Sequence, residues 1–209
     1  MKTTNHNSDP IIVLMLELSI FFLLCIAVVN VPRANGQTIS ERNNVLRQKV
    51  QQIYTSQIGI REQEINSGPQ VQQYLSYVNL PKGNPWCAAF VCWVYGQANV
   101  PNPKSGWSPD LFKPDRIIWE RAESRKYKIE SSERTTNNRL PGIGDVFGIY
   151  FPDKKRIAHV GFVDQWDGAW LITVEGNTNV SGSREGDGVY RKRRPVQSIF
   201  QVARYIAQP

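Results

Sequence analysis

Thiol and imidazole chemistry has few candidates here, since the 209 residues hold three cysteines and two histidines. Cys25 lies inside a long apolar run near the N-terminus, and His6 precedes it. That leaves Cys87 and Cys92, both in "KGNPWCAAFVCWVYGQA", and His159 in "IAHVGFV". Nucleophilic catalysis by cysteine needs one thiol, one imidazole and a third group that fixes the ring. A lone strand histidine is more often structural. If the chemistry operates, His159 must be both base and acid, because no other imidazole is at hand.

The two cysteines differ in position. Asn84 suits an N-cap and Pro85 the first helical position, which puts Cys87 at N3. There the positive end of the helix favours thiolate. The Cys87 N–H also lacks an intrahelical acceptor, so it can serve a developing oxyanion unless the Asn84 side chain takes it. Cys92, between Val91 and Trp93, reads as a small buried hydrophobe. On an ideal helix the two Cα atoms lie about 8.6 Å apart, beyond the roughly 7 Å a disulfide spans. One histidine and two cysteines so spaced do not form a zinc set, and no metal or other cofactor is expected.

The third group depends on a hairpin. "WDG" at 166–168 suits a three-residue loop in which Gly168 takes positive φ. Such a loop pairs Gln165 with Ala169 and sets Glu175 directly opposite His159, with Asn177 on the same face. A two-residue "DG" turn would instead send Glu175 to the other side. As an ordinary edge carboxylate, Glu175 would have no such role.

Helices come first among the elements that must hold these groups. "SERNNVLRQKVQQIYTSQIG" carries a helical stripe at Val45, Leu46, Val50, Ile53 and Tyr54, with Ser40 as cap and Gly59 as stop. "GPQVQQYLSYVNLP" repeats this with Val71, Tyr74, Leu75 and Val78 inward. A loop from Pro101 to Pro109 follows the cysteine helix, and "KPDRIIWERAES" reads as a further short helix. Glu130–Leu140 reads as an exposed loop. From Gly142 the runs "GDVFGIYF", "RIAHVGFVDQW", "AWLITVEGN", "GVYRKRR" and "SIFQVARYI" are short and rich in β-branched and aromatic residues. The expected fold is α+β, with N-terminal helices packed on a C-terminal antiparallel sheet.

Residues 1–36 read as a signal peptide or an N-terminal membrane anchor. Ile11–Val31 is apolar apart from Glu17 and Asn30, and Ala34 and Gly36 suit a cut before Gln37. Residues 37–209 would then be one exported domain, secreted or in the periplasm or cell envelope, with membrane attachment only if the leader is retained. The charges of the first 36 residues cancel, so the rest keeps the net +7. A basic exported domain is drawn to anionic polymers. The charge is spread along the chain except for "RKRR" at 191–194, so a dedicated nucleic-acid reader is not expected, and solvated surface charge is at least as good a reading as any specific anion site. Two cysteines are too few for a disulfide scaffold.

"NPWCAAFVCWVY", "GDVFGIYF", "AHVGFV" and "TVEGNTN" together resemble the CHAP amidohydrolase/peptidase family, over roughly Val45 to Ile206. The lead-in "QIGIREQEINSGPQVQQYLSYVNLPKGNPWCAAFV" resembles the family's wall-hydrolase members. The resemblance implies a papain-like fold and hydrolysis of peptidoglycan amide bonds, at the muramoyl–peptide junction or within the peptide. It implies Cys87 as nucleophile, His159 as general base and acid, Glu175 as the residue that orients the ring, and Asn177 supporting His159 or polarising the substrate. Some relatives carry an Asp-rich calcium loop where this chain reads "EINSGPQ", so calcium is not expected. Trp86 and Trp107 are candidates to pack on sugar or stem peptide, though each also suits a core or rim position. The chain is expected to act as a monomer. An NlpC-type endopeptidase and an inactive wall-binding module are the alternatives.

Overall fold

A computed structural model describes residues 38–121, 140–181 and 185–207. The expected leader lies outside them, as does most of the loop expected at Glu130–Leu140. The elements all belong to one unit, Ile39–Pro209. Among the described residues are three α-helices: α1 (Ile39–Ser56), α2 (Pro69–Tyr77) and α3 (Cys87–Gln97). Six strands follow: β1 (Ile117–Glu120), β2 (Val146–Phe151), β3 (Arg156–Trp166), β4 (Trp170–Thr178), β5 (Gly188–Pro195) and β6 (Gln201–Ala203). They form one antiparallel sheet in the order β1-β6-β2-β3-β4-β5, so the fold is α+β. None of the described helices is long and apolar enough to cross a membrane.

Helix α3 is the centre of the molecule. Its buried residues run from Cys87 through Cys92 without a break and include Val94 and Tyr95. A helix apolar on all sides must be enclosed on all sides. Helices α1 and α2 and strands β3 and β4 pack against it. From α1 come Val50 and Tyr54, from α2 Val71, Tyr74 and Leu75, and from the sheet Val146, Val160, Phe162 and Val174. Val45, expected on the inward stripe of α1, is more than half exposed; the turn is instead fastened by buried Arg47. The other face of the sheet carries a second cluster of Phe147, Val163, Leu171, Val196, Ile199 and Val202.

Two expectations about elements are corrected. "RIIWE" is not helical: Ile117–Glu120 is strand β1, paired with Gln201–Ala203 at the sheet edge. Ile-Ile-Trp suits a pleated, half-buried surface, and an available edge decides between two periods that a run this short cannot separate. Helix α3 begins at Cys87 with Trp86 as its N-cap residue and no side-chain cap, so Cys87 occupies the first helical position. Asn84 instead turns its amide to donate to Pro81 O at 3.0 Å.

The β3–β4 hairpin also differs from the "WDG" loop. Trp166 pairs with Leu171, and Asp167 N donates to Trp170 O at 3.1 Å, which leaves Gly168 and Ala169 as a two-residue loop. Gly168 has φ of 94°, as glycine does at the first central position of such turns. The Asp167 carboxylate accepts from Ala169 N at 2.9 Å and Trp170 N at 2.6 Å, so its side chain holds the turn. A bulge between Val163 and Gln165 then shifts the register by one, giving Val163↔Thr173 and Phe162↔Val174. Continued, this register sets Glu175 opposite Gly161, not opposite His159.

Candidate functional site

Glu175 reaches His159 on the diagonal. Diagonal neighbours across an antiparallel pair lie about 7–8 Å apart at Cα, within range of long side chains. Gly161 makes the crossing possible. A Cβ there would stand 2.9 Å from Glu175 Cγ and equally close to a Phe147 ring atom and the Val174 carbonyl. With no side chain at 161, Glu175 lies across that position, and His159 Nε2 meets Glu175 Oε2 at 2.8 Å.

The carboxylate is fully buried and held on all sides. Arg194 donates to it bidentately, Nε to Oε1 and Nη2 to Oε2, each at 2.6 Å. Thr173 Oγ1 donates to Oε1 at 2.5 Å. Burial opposes the charge, but the Arg194 and His159 bonds outweigh it and hold Glu175 far below the usual carboxylate range. A carboxylate so held stays ionised and fixes the ring; it does not take the proton.

With Nε2 on Glu175, Nδ1 is the nitrogen left for Cys87. Burial lowers the imidazole's affinity for a proton, yet the Cys87 and Glu175 hydrogen bonds and charges prevail and His159 is pushed up to about 9. Burial likewise raises the Cys87 thiol, but the hydrogen bond and charge of His159, then Ser108 and the Val160 backbone, bring it below the ordinary thiol value. Both shifts favour a thiolate–imidazolium pair. At the first helical position the Cys87 N–H has no intrahelical acceptor, since the first helical bond runs from Phe90 N to Trp86 O at 2.8 Å. Cys92 has neither partner: its thiol points to Ser105 O at 3.4 Å and burial pushes it up to about 11. Both cysteines are free.

A cleft of about 530 Å³ opens over this group, lined by Cys87, His159, Asn177, Lys154, Lys192 and Phe151 among others. Asn177 shares the cleft but is fastened elsewhere. It has φ of 54° at a bulge in β4, where its Oδ1 accepts from Trp86 N at 3.4 Å. Its Nδ2 donates to Asn66 Oδ1 at 2.9 Å and Glu62 Oε1 at 3.2 Å. It therefore braces the turn that enters α3 rather than bonding to His159.

The two tryptophans part company. Trp86 is fully buried, stacked on Tyr74 at 5.4 Å between ring centroids, with Nε1 donating to Glu62 Oε1 at 2.7 Å. The expectation that it packs on substrate is corrected: it has no surface to offer. Trp107 is half exposed, with the Arg156 guanidinium 3.9 Å above its ring.

Sequence reasoning missed Arg194, Thr173, Gly161 and Ser108. The signal for Arg194 was the period of two in "GVYRKRR". Its alternate members turn opposite ways, and none of the four cations stands idle. Arg191 binds Asp164 at 2.6 Å, Lys192 donates to Asn179 O at 2.5 Å, and Arg193 lies 4.0 Å over Trp170. The run therefore braces the sheet, although Arg191 and Arg193 are also exposed to solvent. Among the described residues no group of three or more His, Cys, Asp or Glu is placed to hold a metal ion.

A family model described as the CHAP domain matches residues 79–177, a span that holds Cys87, His159, Glu175 and Asn177. Over these residues the chain matches the CHAP domain. Searches of curated proteins and of solved structures found no match. The CHAP domain is a cysteine- and histidine-dependent hydrolase domain of amidase and peptidase type, associated with peptidoglycan. Its matched span ends at Asn177, near the end of strand β4 and short of strand β5. Arg194, the residue that neutralises Glu175, thus comes from the flank beyond the CHAP match.

Proposed function

We propose that this protein is an exported peptidoglycan hydrolase that cleaves amide bonds, as an N-acetylmuramoyl-L-alanine amidase or a peptidoglycan endopeptidase. One observation carries the reading: a buried, Arg194-neutralised Glu175 sits 2.8 Å from the only imidazole of the described fold, beside a thiol at a helix start. In a papain-like arrangement those groups perform acyl transfer. Cys87 thiolate attacks the amide carbonyl carbon, a C–S bond forms, and the carbonyl oxygen takes the charge beside the Cys87 N–H. Collapse breaks the C–N bond, and His159 gives its proton to the departing amine. Neutral His159 then takes a proton from water, the hydroxide attacks the thioester, and Cys87 leaves as thiolate with the imidazolium restored. Trp107 offers a rim surface for sugar or stem peptide.

The export reading rests on Ile11–Val31 and the small residues before Gln37. It makes the protein a secreted or envelope enzyme acting as a monomer on the wall. The test is release of soluble muropeptides from purified sacculi by the wild type, Cys87→Ala and Cys92→Ala, with the products identified by mass spectrometry. Cys87→Ala is expected to release none and Cys92→Ala to remain active. Lysis by Cys87→Ala would overturn the assignment, and the masses report which bond is cut.

A further inference from the structure

We propose that Ser108 is a positioning residue that holds the Cys87 thiolate by donating a hydrogen bond to it, opposite His159. Ser108 Oγ lies 3.6 Å from Cys87 Sγ, its one side-chain hydrogen-bond partner among the described residues. Only 4% of Ser108 is exposed, so its hydroxyl is largely shut off from solvent. A buried hydroxyl left without a partner is costly, and here the partner is the reactive atom. Which group donates follows from charge: a thiolate has no proton to give, so in the ion-pair state the hydroxyl must be the donor.

The segment that carries Ser108 is built to keep it there. A short 3₁₀ turn, Ser108–Leu111, begins at this residue and is pinned by fully buried Leu111. Asp110 N donates to Trp107 O at 3.0 Å, Tyr205 OH donates to Leu111 O at 3.2 Å, and Ser105 Oγ donates to Asp110 Oδ2 at 2.5 Å. Pro109 stiffens the turn at its second residue. The loop between α3 and β1 thus adds a second donor to the nucleophile from outside the Cys–His–Glu group.

The consequence for hydrolysis rests on the proposed role of Cys87, but the contact can be tested without peptidoglycan. Alkylation of Cys87 by iodoacetamide, followed from about pH 4 to about pH 10, reports the thiolate directly. Fragment mass spectrometry separates Cys87 from Cys92, since the two share one tryptic peptide. In Ser108→Ala the midpoint of alkylation is expected to rise by about one pH unit, so about tenfold less thiolate is present below it. Ser108→Thr, which keeps the hydroxyl, is expected to return the midpoint to the wild-type value. Ser108→Gly is run beside Ser108→Ala, so that a folding failure of one leaves the comparison intact. A midpoint unmoved in the variants without a hydroxyl would overturn the proposal, as would an equal shift in Ser108→Thr. A wild type that releases no muropeptide, with these alkylation shifts intact, would count against the hydrolase reading and leave the Ser108 contact standing.

Discussion

His159 is pushed up to about 9 by partners that Glu175 supplies in part, and this sets the pH behaviour of the site. The imidazolium must be charged to donate to the leaving amine, so activity is expected to fall as pH rises through about 9. Removing the Glu175 charge removes a raising influence. Glu175→Gln is therefore expected to move the alkaline limb of kcat/KM to lower pH and to reduce its plateau by roughly 10²–10⁴-fold. A pH–rate profile on solubilised peptidoglycan fragments checks both. Arg194→Gln should lower the plateau less than Glu175→Gln and should not move the alkaline limb to lower pH, because the carboxylate loses its bidentate partner yet keeps its charge and its bonds to His159 and Thr173.

Strand β3 works as an element because one of its residues has no side chain. In Gly161→Ala the new methyl meets Glu175 Cγ, Phe147 and a backbone carbonyl, all 2.9 Å away, and the carbonyl cannot move aside cheaply. The expected cost is about 1–3 kcal/mol of stability in urea unfolding. Activity should fall by more than that loss accounts for, because Glu175 is the atom group displaced. The hairpin tip is a second lever. Asp167→Ala removes the acceptor for two backbone N–H groups and is expected to cost about 1 kcal/mol, by analogy with loss of a side-chain cap.

Across the whole molecule, one buried ionic knot ties the first helix to the segment that follows the last strand. Asp145 is fully buried, accepts from Arg47 at 3.2 Å on α1, and takes three further bonds from Arg204, beyond β6, at 2.7, 3.0 and 3.3 Å. Arg47 also donates to the Ile206 carbonyl at 2.6 Å. Breaking such a pair leaves cations buried without their partner, so Asp145→Ala is expected to lose about 3–5 kcal/mol in urea unfolding. The knot lies away from the cleft. The folded fraction of Asp145→Ala should keep its pH–rate profile, unlike Glu175→Gln.

The sequence by itself determined the two-class architecture and marked Cys87 and His159 as the thiol and imidazole able to do the chemistry. Hydrophobic period and composition separate helices from strands. A chain with one usable imidazole leaves little choice of base, and the Asn-Pro-Trp-Cys entry marks a helix start even though Cys87 proved to be its first residue rather than its third. Only the tertiary structure decided how Glu175 reaches His159. A bulge and the Asp167-held turn moved the register by two positions from the one expected, and the pair survived because Gly161 opened a diagonal path. Arg194 and Ser108 were invisible for a related reason. Each lies far from the motifs in the chain and acts through contacts made when strand β5 and the loop after α3 close on the site. Trp86 was misplaced because an aromatic beside a nucleophile reads the same whether it faces the cleft or the core. Packing against Tyr74, a distance of twelve residues along the chain, settled that it faces the core. Local sequence specifies which groups can do the chemistry; register, burial and long-range pairing set where each one points.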